Sequence, residues 1–216
     1  MAKQSKTYYR SPLGVAVYPH ITKPDTKFND DGLFKVSLRL EGKDAETMKA
    51  RLDAASEAAF KDFMENGDGA DLKPGEQKKF SVYKPYVEEE DDEGNPTGSI
   101  LVQFKQNAVI KLRDGTVKHV QIGIYDADNK PAPNVDIWGG SVIRVKFAMR
   151  DIVMKSLKQV GVRLDFSLVQ IKKLATGGQG DSGFDAIEDE DAFRVGDEGG
   201  FSEEGGKSAP DDGEDF

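Results

Sequence analysis

The sequence predicts a mainly β domain of the α+β class, with one inserted helix and a disordered acidic tail at the C-terminus. Apolar and polar residues alternate in several segments, which is typical of half-buried strands. One stretch rich in Ala, Glu, Lys and Met instead spaces its apolar residues three or four apart, which predicts an amphipathic helix. From residue 177 onwards the composition changes to Gly, Asp and Glu. These observations divide the chain into a folded domain over residues 1–176 and a tail over residues 177–216.

The first half of the domain is predicted to contain two strands and the helix. Residues 13–18 are apolar and aromatic and form the first strand, and a loop marked by Pro19 and Pro24 follows it. Residues 33–40 form the second strand, because every second residue from Phe34 is apolar. The helix covers residues 44–65 and ends at Asn66-Gly67. Its buried face is predicted to consist of Met48, Leu52, Ala55, Ala59 and Phe63.

The second half of the domain is predicted to be a meander of antiparallel strands. Residues 80–87 form a strand, an acidic loop leads to a return strand from Ser99, and Asp114-Gly115 is a hairpin signal before a strand over residues 117–125. A loop over residues 126–140 follows. A short irregular or helical turn then separates a strand over residues 141–150 from the last strand over residues 160–171. The inward positions of these two strands are predicted to be Ile143, Val145, Phe147, Met149, Val160, Val162, Leu164, Phe166 and Leu168.

Six or seven strands with a single helix fit a small barrel. A five-stranded Greek-key barrel of the oligonucleotide-binding (OB) type, carrying extra strands, accommodates this order of elements. A β-sandwich fits the same pattern of alternation. Because periodicity reports only which face of a strand is buried, the sequence leaves both architectures open.

The charges are distributed unevenly along the chain. The formal net charge is −9, yet the tail holds fourteen acidic and two basic residues, a balance of −12, while the domain holds 25 acidic and 28 basic residues, a balance of +3. Within the domain, the residues from Glu88 to Glu93 form one acidic cluster, which is predicted to be a solvated loop tip. The remaining surface of the domain is therefore expected to be basic, which favours an anionic partner.

The composition excludes several kinds of active site. The chain has no cysteine and two histidines, so disulfides, thiolate catalysis and cysteine-based metal sites are excluded. No segment approaches the roughly 18 apolar residues of a membrane helix, and we expect a soluble, cytosolic protein without membrane contact. No phosphate-binding loop or nucleophile motif is present. Neither an enzyme activity nor a cofactor is predicted.

One loop contains carboxylates that deserve a separate interpretation. The segment starting at Asp126 begins like a calcium-binding loop, but Pro131 stands where that loop needs glycine and no Glu occupies its twelfth position. Asp126, Asp128 and Asp136 could instead hold Mg²⁺ for phosphodiester cleavage, although a polar loop with prolines explains them more simply. A metal-dependent nuclease is therefore an alternative hypothesis.

Aromatic residues interleaved with basic residues are the most informative pattern in the domain. Single-stranded nucleic acid is bound without sequence readout when bases stack on aromatic side chains and Lys or Arg contact the phosphates. Packing in the core or solvation of a sheet explains such residues individually, but together they indicate a nucleic-acid surface. The predicted DNA-binding residues are Tyr8, Tyr9, Arg10, Lys35, Arg39, Tyr83, Lys84, Tyr86, Lys105, Trp138, Arg144, Lys146 and Arg150.

The tail combines acidic residues with scattered apolar ones and ends with Phe216. One hypothesis is that it covers the basic groove of its own domain until DNA displaces it, because a flexible chain of this length spans about 35 Å. The alternative is that it serves solubility alone. An exposed terminal aromatic residue does not improve solubility, so Phe216 favours the first hypothesis.

Segments at both ends of the chain carry a resemblance to a known family. They are the opening run from Ser11 to His20, the motifs Lys23-Pro24-Asp25 and Phe34-Lys35-Val36, residues 160–171, and the acidic end Asp215-Phe216. They resemble the opening, the closing strand and the tail of single-stranded-DNA-binding proteins of podovirus-type bacteriophages. The resemblance implies an OB barrel that coats single-stranded DNA during phage replication, recombination and repair, in the cytoplasm of the infected bacterial host.

The resemblance also implies partners for the tail. Glu214, Asp215 and Phe216 would contact the phage DNA polymerase and the helicase-primase. The family pattern supplies no DNA contacts position by position, so those candidates come from the residue pattern alone. Weaker binding to double-stranded DNA and a homodimer are both compatible with it.

The first hypothesis is thus a non-enzymatic, sequence-independent single-stranded-DNA-binding protein. The alternatives are the metal-dependent nuclease and an acidic scaffold or DNA mimic without affinity for DNA. The basic outward positions of residues 141–150 argue against the last of these.

Overall fold

The computed structural model describes residues 7–175 except residues 28, 113 and 134. The predicted tail over residues 177–216 lies outside the described residues, together with Glu214, Asp215 and Phe216. None of the helices described is long and apolar enough to cross a membrane. In chain order the elements are β1 (Tyr8–Arg10), β2 (Gly14–Asp25), β3 (Leu33–Leu40), α1 (Gly42–Asn66), α2 (Pro74–Gln77), β4 (Ser81–Tyr83), β5 (Tyr86–Glu90), β6 (Pro96–Asn107), β7 (Val109–Lys111), β8 (Val117–His119), β9 (Gly123–Tyr125), β10 (Val142–Met154) and β11 (Gln159–Lys173).

Five of these strands close into a barrel. β2 pairs with β3, and β3 with β6, both antiparallel. β6 pairs in parallel with β11 where Phe104 meets Leu164, β11 pairs antiparallel with β10, and β10 returns to β2 where Val142 meets Val15. Every strand on this path has a neighbour on both sides, so the sheet is closed as in an OB fold. The predicted five-stranded barrel is confirmed, and the sandwich alternative is not observed.

The extra strands of the prediction pair with individual strands of this barrel. β1 adds to β10, β5 adds to β6, and β4 and β9 add in parallel to β11. β7 and β8 form a separate hairpin, whose turn contains Gly115 at a φ of 83°, as the Asp-Gly signal predicts. The middle of the chain is therefore not a purely antiparallel meander, because β11 has three parallel partners.

The barrel interior is filled by the alternate residues that the sequence pattern predicts. The rings of Phe104 and Phe147 meet edge to face, with their centroids 5.1 Å apart. One predicted inward position is wrong: a register shift after Lys146 buries Val169 and leaves Leu168 partly exposed. The largest fully buried side chains are Phe104, Phe147, Phe166, Leu38, Leu40, Leu52, Ile143 and Leu164.

The helix α1 packs on the barrel through the stripe of residues that the sequence predicts. Ser56 is also fully buried in this stripe, whereas Ala55 is only partly buried. The helix ends where the N–H of Gly67 donates to the carbonyl of Asp62 at 3.1 Å. α1 connects β3 to β6, the second and third barrel strands, and packs against β11, β6 and β4.

Four predicted boundaries are wrong, each because of local pairing. β2 does not end before Pro19, since bulges within it tolerate residues that lack an N–H. The strand predicted over residues 80–87 divides at Lys84 into β4 and β5, and that over residues 117–125 divides into β8 and β9, since the halves pair with different strands. The predicted turn between residues 150 and 160 is instead the tip of the β10–β11 hairpin. β1 and α2 are too short to show periodicity and carried no prediction.

The acidic cluster is not entirely a solvated loop tip. Glu88 and Glu89 belong to β5, where they form ion pairs with Lys49 at 2.8 Å and Arg39 at 2.7 Å. The turn itself covers residues 91–95, where the Asp91 carboxylate accepts backbone N–H groups. The first half of the cluster therefore holds β5 against its neighbours.

Candidate nucleic-acid interface

The outer surface of β3 and β6 places two predicted DNA-binding lysines opposite each other. Lys35 and Lys105 are cross-strand partners, and both alternate with buried residues. Tyr18 of β2 joins them, and the three side chains with Ser37 and Gln103 line a shallow groove of about 190 Å³. We call this surface the β3–β6 face. Like charges directly opposite on a sheet repel each other, so the face concentrates positive potential.

The two lysines of the β3–β6 face differ in their partners. Lys35 donates a hydrogen bond to Asp25 at the end of β2, which holds its side chain in place. Among the described residues no carboxylate forms an ion pair with Lys105. Burial lowers the pKa of Lys105, and the charges of Arg163 and Lys35 lower it further. A cation that is partly desolvated and repelled by its neighbours gains from binding an anion.

Tyr18 is a residue of the β3–β6 face that the sequence pattern missed. Alternation from the buried Ala16 places Tyr18 inside the barrel, but the register shift between Val17 and His20 turns it outward. Its φ is 48° and it is 82% exposed, so an aromatic face is available to solvent beside Lys35. A bulge of this kind leaves no periodic signal, although Pro19 immediately after Tyr18 is a hint.

Asp165 of β11 marks the edge of the β3–β6 face. It is the register partner of Lys105, and its carboxylate accepts a hydrogen bond from Arg150 Nε at 2.7 Å. Arg163 Nε lies 2.9 Å from the other carboxylate oxygen, and a terminal nitrogen of Arg163 donates to Asn107 at 2.8 Å. Arg150, a predicted DNA-binding residue, is therefore paired with a carboxylate, while Arg163 lies close to the face without having been predicted.

Tyr83 lies partly buried on β4 at the same edge. β4 runs in parallel beside β11 because Gly161 has no side chain; a Cβ there would lie 2.2 Å from the carbonyl oxygen of Tyr83. Burial raises the pKa of Tyr83, and the nearby Arg163 offsets part of this effect. Tyr83 is therefore less available to a ligand than the exposed Tyr18.

Arg39 continues the row of outward residues on β3 but is neutralised. Its guanidinium donates to both carboxylate oxygens of Glu89, each at 2.7 Å. This bidentate geometry is the strong form of an arginine–carboxylate pair, and the hydrogen bond raises the pKa of Arg39. Arg39 is therefore a weaker candidate for phosphate contact than Lys105.

Lys84 and Tyr86 were predicted to bind DNA, but they join Asp53 of α1 in an internal cluster. The Tyr86 hydroxyl donates to Asp53 at 2.7 Å, and Lys84 Nζ lies 3.0 Å from the same oxygen. Tyr86 is only 6% exposed, and burial together with the Asp53 hydrogen bond raises its pKa to about 12. We call these three residues the Asp53 cluster. They tie α1 to β5, and the buried ring of Tyr86 cannot stack on a base.

A second basic surface lies on the outer side of β10 and β11. Arg10 of β1 is the register partner of Lys146, and Arg144 is the partner of Gln170. Arg144 Nε donates to the Gln170 side chain at 2.7 Å. Together with Tyr125 and Leu168, these residues line a cavity of about 450 Å³, which we call the β10–β11 groove. Beside it, Tyr8 is half exposed and its ring lies 5.1 Å from Lys146 Nζ.

The remaining predicted aromatic residues are not in either surface. The ring of Tyr9 packs on Phe147, 5.8 Å between centroids, with Arg51 over it, so it belongs to the core boundary. Trp138 is 52% exposed in the loop before β10, where its carbonyl accepts the N–H of Ser141. It does not line the β10–β11 groove.

The carboxylates of the nuclease hypothesis have separate local roles. Asp126 accepts the backbone N–H of Lys130 at 2.8 Å, and Asp136 accepts the hydroxyl of Thr22 at 2.8 Å. Within the described part of the chain, no group of three or more His, Asp or Glu residues could hold a metal ion. The structure gives the nuclease hypothesis no support.

Comparison with known proteins connects this barrel to one family. The family model described as the single-stranded DNA-binding protein of bacteriophage T7 matches residues 14–174, which include all five barrel strands. The chain belongs to the T7 single-stranded DNA-binding protein family. Enterobacteria phage T3 provides one relative, named a single-stranded DNA-binding protein, which is 28% identical over the full length of both chains. A protein of the same name from Escherichia phage T7 is 27% identical, covering 86% of this chain and 84% of its own.

Solved structures of phage proteins share the fold of this family member. The crystal structure of gp2.5, the single-stranded DNA-binding protein encoded by bacteriophage T7, matches with a TM-score of 0.62 at 26% identity, over 82% of this chain and 95% of its own. The single-stranded DNA-binding protein of bacteriophage Enc34, solved in complex with single-stranded DNA, matches with a TM-score of 0.52 at 12% identity, over 81% and 95%. The similarity to the Enc34 protein shows that the two chains share a fold.

Proposed function

We propose that this family member binds single-stranded DNA, independently of sequence, across the β3–β6 face during phage replication, recombination and repair. The observation that carries the proposal is the juxtaposition of Lys35 and Lys105 next to the exposed ring of Tyr18. In OB folds the second and third barrel strands form the surface that binds oligonucleotides. β3 and β6 occupy those positions in this barrel.

The chemistry of the β3–β6 face suits a single strand better than a duplex. Lys35 and Lys105 contact phosphates, while the Tyr18 ring offers a stacking surface that every base can use. Bases in a duplex are already stacked and paired, so Tyr18 has no base to receive. Binding to double-stranded DNA is therefore expected to be weaker and to rest on phosphate contacts alone.

The acidic tail is proposed to compete with DNA for the basic surface. The charge balance of the tail is −12, whereas that of the domain is +3, and tethering keeps the tail at a high effective concentration relative to the domain. Its last residues, Glu214, Asp215 and Phe216, are proposed to dock the phage DNA polymerase and the helicase-primase. DNA binding would then release the tail for those partners.

Fluorescence anisotropy with a labelled oligonucleotide tests both parts of the proposal. The full chain should bind a single strand more tightly than the matching duplex, and removal of residues 177–216 should tighten single-strand binding. Equal affinity for strand and duplex would contradict the role of Tyr18. Unchanged or weaker affinity after truncation would contradict competition by the tail, but it would not contradict DNA binding at the β3–β6 face.

A further inference from the structure

The β10–β11 groove gathers three cations that have no acidic partner in the part of the chain that the structure describes. Arg10 and Lys146 are direct cross-strand partners on its floor, and Arg144 points into the same cavity. Within the described residues, no ion pair joins any of the three to a carboxylate; Arg144 instead donates to the neutral side chain of Gln170. Three unpaired cations lining one concave surface create a local potential that attracts anions.

Hydrogen bonds of the Gln170 side chain hold the wall of the groove and one of its cations in place. Gln170 uses its amide nitrogen to donate to the carbonyls of Asp126 and Ala127, at 3.0 and 3.1 Å, while its oxygen holds Arg144. One side chain thus fixes both the wall of the groove and the guanidinium inside it. A cavity of about 450 Å³ is large enough to receive more than a single phosphate.

Aromatic residues distinguish this groove from a simple anion site. The ring of Tyr125 lines the cavity, and the half-exposed Tyr8 lies beside Lys146. Free phosphate has no use for an aromatic surface, whereas a single strand presents phosphates and bases together. The combination therefore favours single-stranded nucleic acid as the ligand.

The groove is separate from the β3–β6 face. Between them lies Asp165, whose carboxylate is held by Arg150 and Arg163. Gln170 is five residues further along β11, about 16 Å away in an extended strand. Because Arg150 and Arg163 are engaged with this carboxylate, they are less available to phosphates than the cations of either surface.

We propose that the β10–β11 groove binds a second segment of single-stranded nucleic acid while the β3–β6 face holds the first. This inference rests on the proposed function, since it extends the same ligand chemistry to a second surface. A chain with two such sites holds two segments close together, from one strand or from two.

Calorimetry at low salt with an oligothymidylate of about three nucleotides, fewer than the roughly four that a single OB fold occupies and so too short to fill both surfaces, tests the proposal. The full chain should bind two molecules. The R144A/K146A variant should bind one, with the affinity of the remaining site changed less than about two-fold. The matched control K43A/K61A removes the same charge from exposed positions of α1 and should still bind two.

One bound molecule per full chain, or two per R144A/K146A chain, would overturn the inference without contradicting the proposal that the β3–β6 face binds DNA. Failure of the full chain to bind any oligonucleotide would instead overturn the proposed function. The K35Q/K105Q variant completes the test, because it should lose the first site and keep the one at the groove. Loss of both sites in that variant would mean that the groove does not bind independently.

Two further measurements check the fold of R144A/K146A and identify the strand that supplies the second segment. Unchanged circular dichroism and melting temperature of R144A/K146A establish that its loss of a site is not a loss of fold. The length of a long strand protected by each chain then identifies the source of the second segment. A shorter protected length in R144A/K146A would mean that the groove binds a second segment of the same strand, whereas an equal length would mean that it binds another strand. Either result supports the inference, provided that calorimetry shows one bound short oligonucleotide per R144A/K146A chain instead of two.

Discussion

The β3–β6 face and the Asp53 cluster contain the same types of residue but differ in what surrounds them. Each combines lysine with tyrosine, and all of these residues except Tyr18 were predicted to bind DNA. Lys105 has no carboxylate partner among the described residues, whereas Lys84 lies 3.0 Å from Asp53. Tyr18 is 82% exposed, whereas Tyr86 is 6% exposed. Availability, rather than residue type, therefore distinguishes the proposed binding surface from the structural contact.

The largest effect is expected from removing both lysines of the β3–β6 face. Each phosphate contact to a single strand contributes about a factor of ten at roughly 50 mM salt, so K35Q/K105Q should lose about 100-fold in affinity. Anisotropy with a labelled oligonucleotide measures this loss. The control K43Q/K61Q changes the same charge on the exposed side of α1, and an equal loss there would show that only net charge matters.

Removal of the exposed ring is expected to have the next largest effect. Stacking of one base contributes about 1 to 3 kcal/mol, so Tyr18→Ala should weaken binding about 5- to 150-fold, while Tyr18→Trp should retain it. Binding that is unchanged in Tyr18→Ala would remove this residue from the interface. The same titration with the duplex should show little effect in either variant.

The lowered pKa of Lys105 predicts a dependence of binding on pH. Only the protonated ammonium binds phosphate, so affinity should begin to fall at a lower pH than the ordinary lysine pKa of about 10.4 would give. Lys105→Arg keeps its charge in this range and should shift the fall to higher pH. Titrations between about pH 7 and 10 at constant ionic strength measure it. Identical pH profiles for the two proteins would contradict the assignment.

The smallest effect on DNA binding is expected in the Asp53 cluster. Tyr86→Phe removes a hydrogen bond to a carboxylate that Lys84 still accompanies, so the free energy of unfolding should fall by about 1 kcal/mol. Single-strand affinity should stay within two-fold of that of the unmodified chain. Urea denaturation and anisotropy measure the two quantities. A variant of normal stability with strongly reduced DNA affinity would place Tyr86 in the interface instead.

Much of the fold could be predicted because alternation reports burial directly. The inward residues of β3, β6 and β10, the stripe of α1 and the Asp-Gly hairpin all follow from local pattern. The parallel pairing of β11 with β4, β6 and β9 could not be predicted, because it joins residues far apart in the sequence. Bulges were also missed, and one of them decides that Tyr18 faces solvent.

The sequence predicted which types of residue form the candidate site, but not which partners these residues contact. The sequence indicates that Lys35 and Lys105 point outward, yet only the register of β3 and β6 shows that they face each other. The carboxylates that form ion pairs with Arg39, Lys84 and Arg150 belong to β5, α1 and β11, respectively. Such long-range ion pairs leave no periodic trace, so the sequence overestimates the number of available cations.

The salt dependence of single-strand binding tests the central claim most directly. For single strands the logarithm of the affinity falls with the logarithm of salt concentration by about 0.7 per phosphate contact. Lys105→Gln should therefore reduce the magnitude of this slope by about 0.7, whereas Lys84→Gln should leave it unchanged. A slope that is unchanged in Lys105→Gln, or reduced equally in Lys84→Gln, would contradict the assignment of DNA binding to the β3–β6 face.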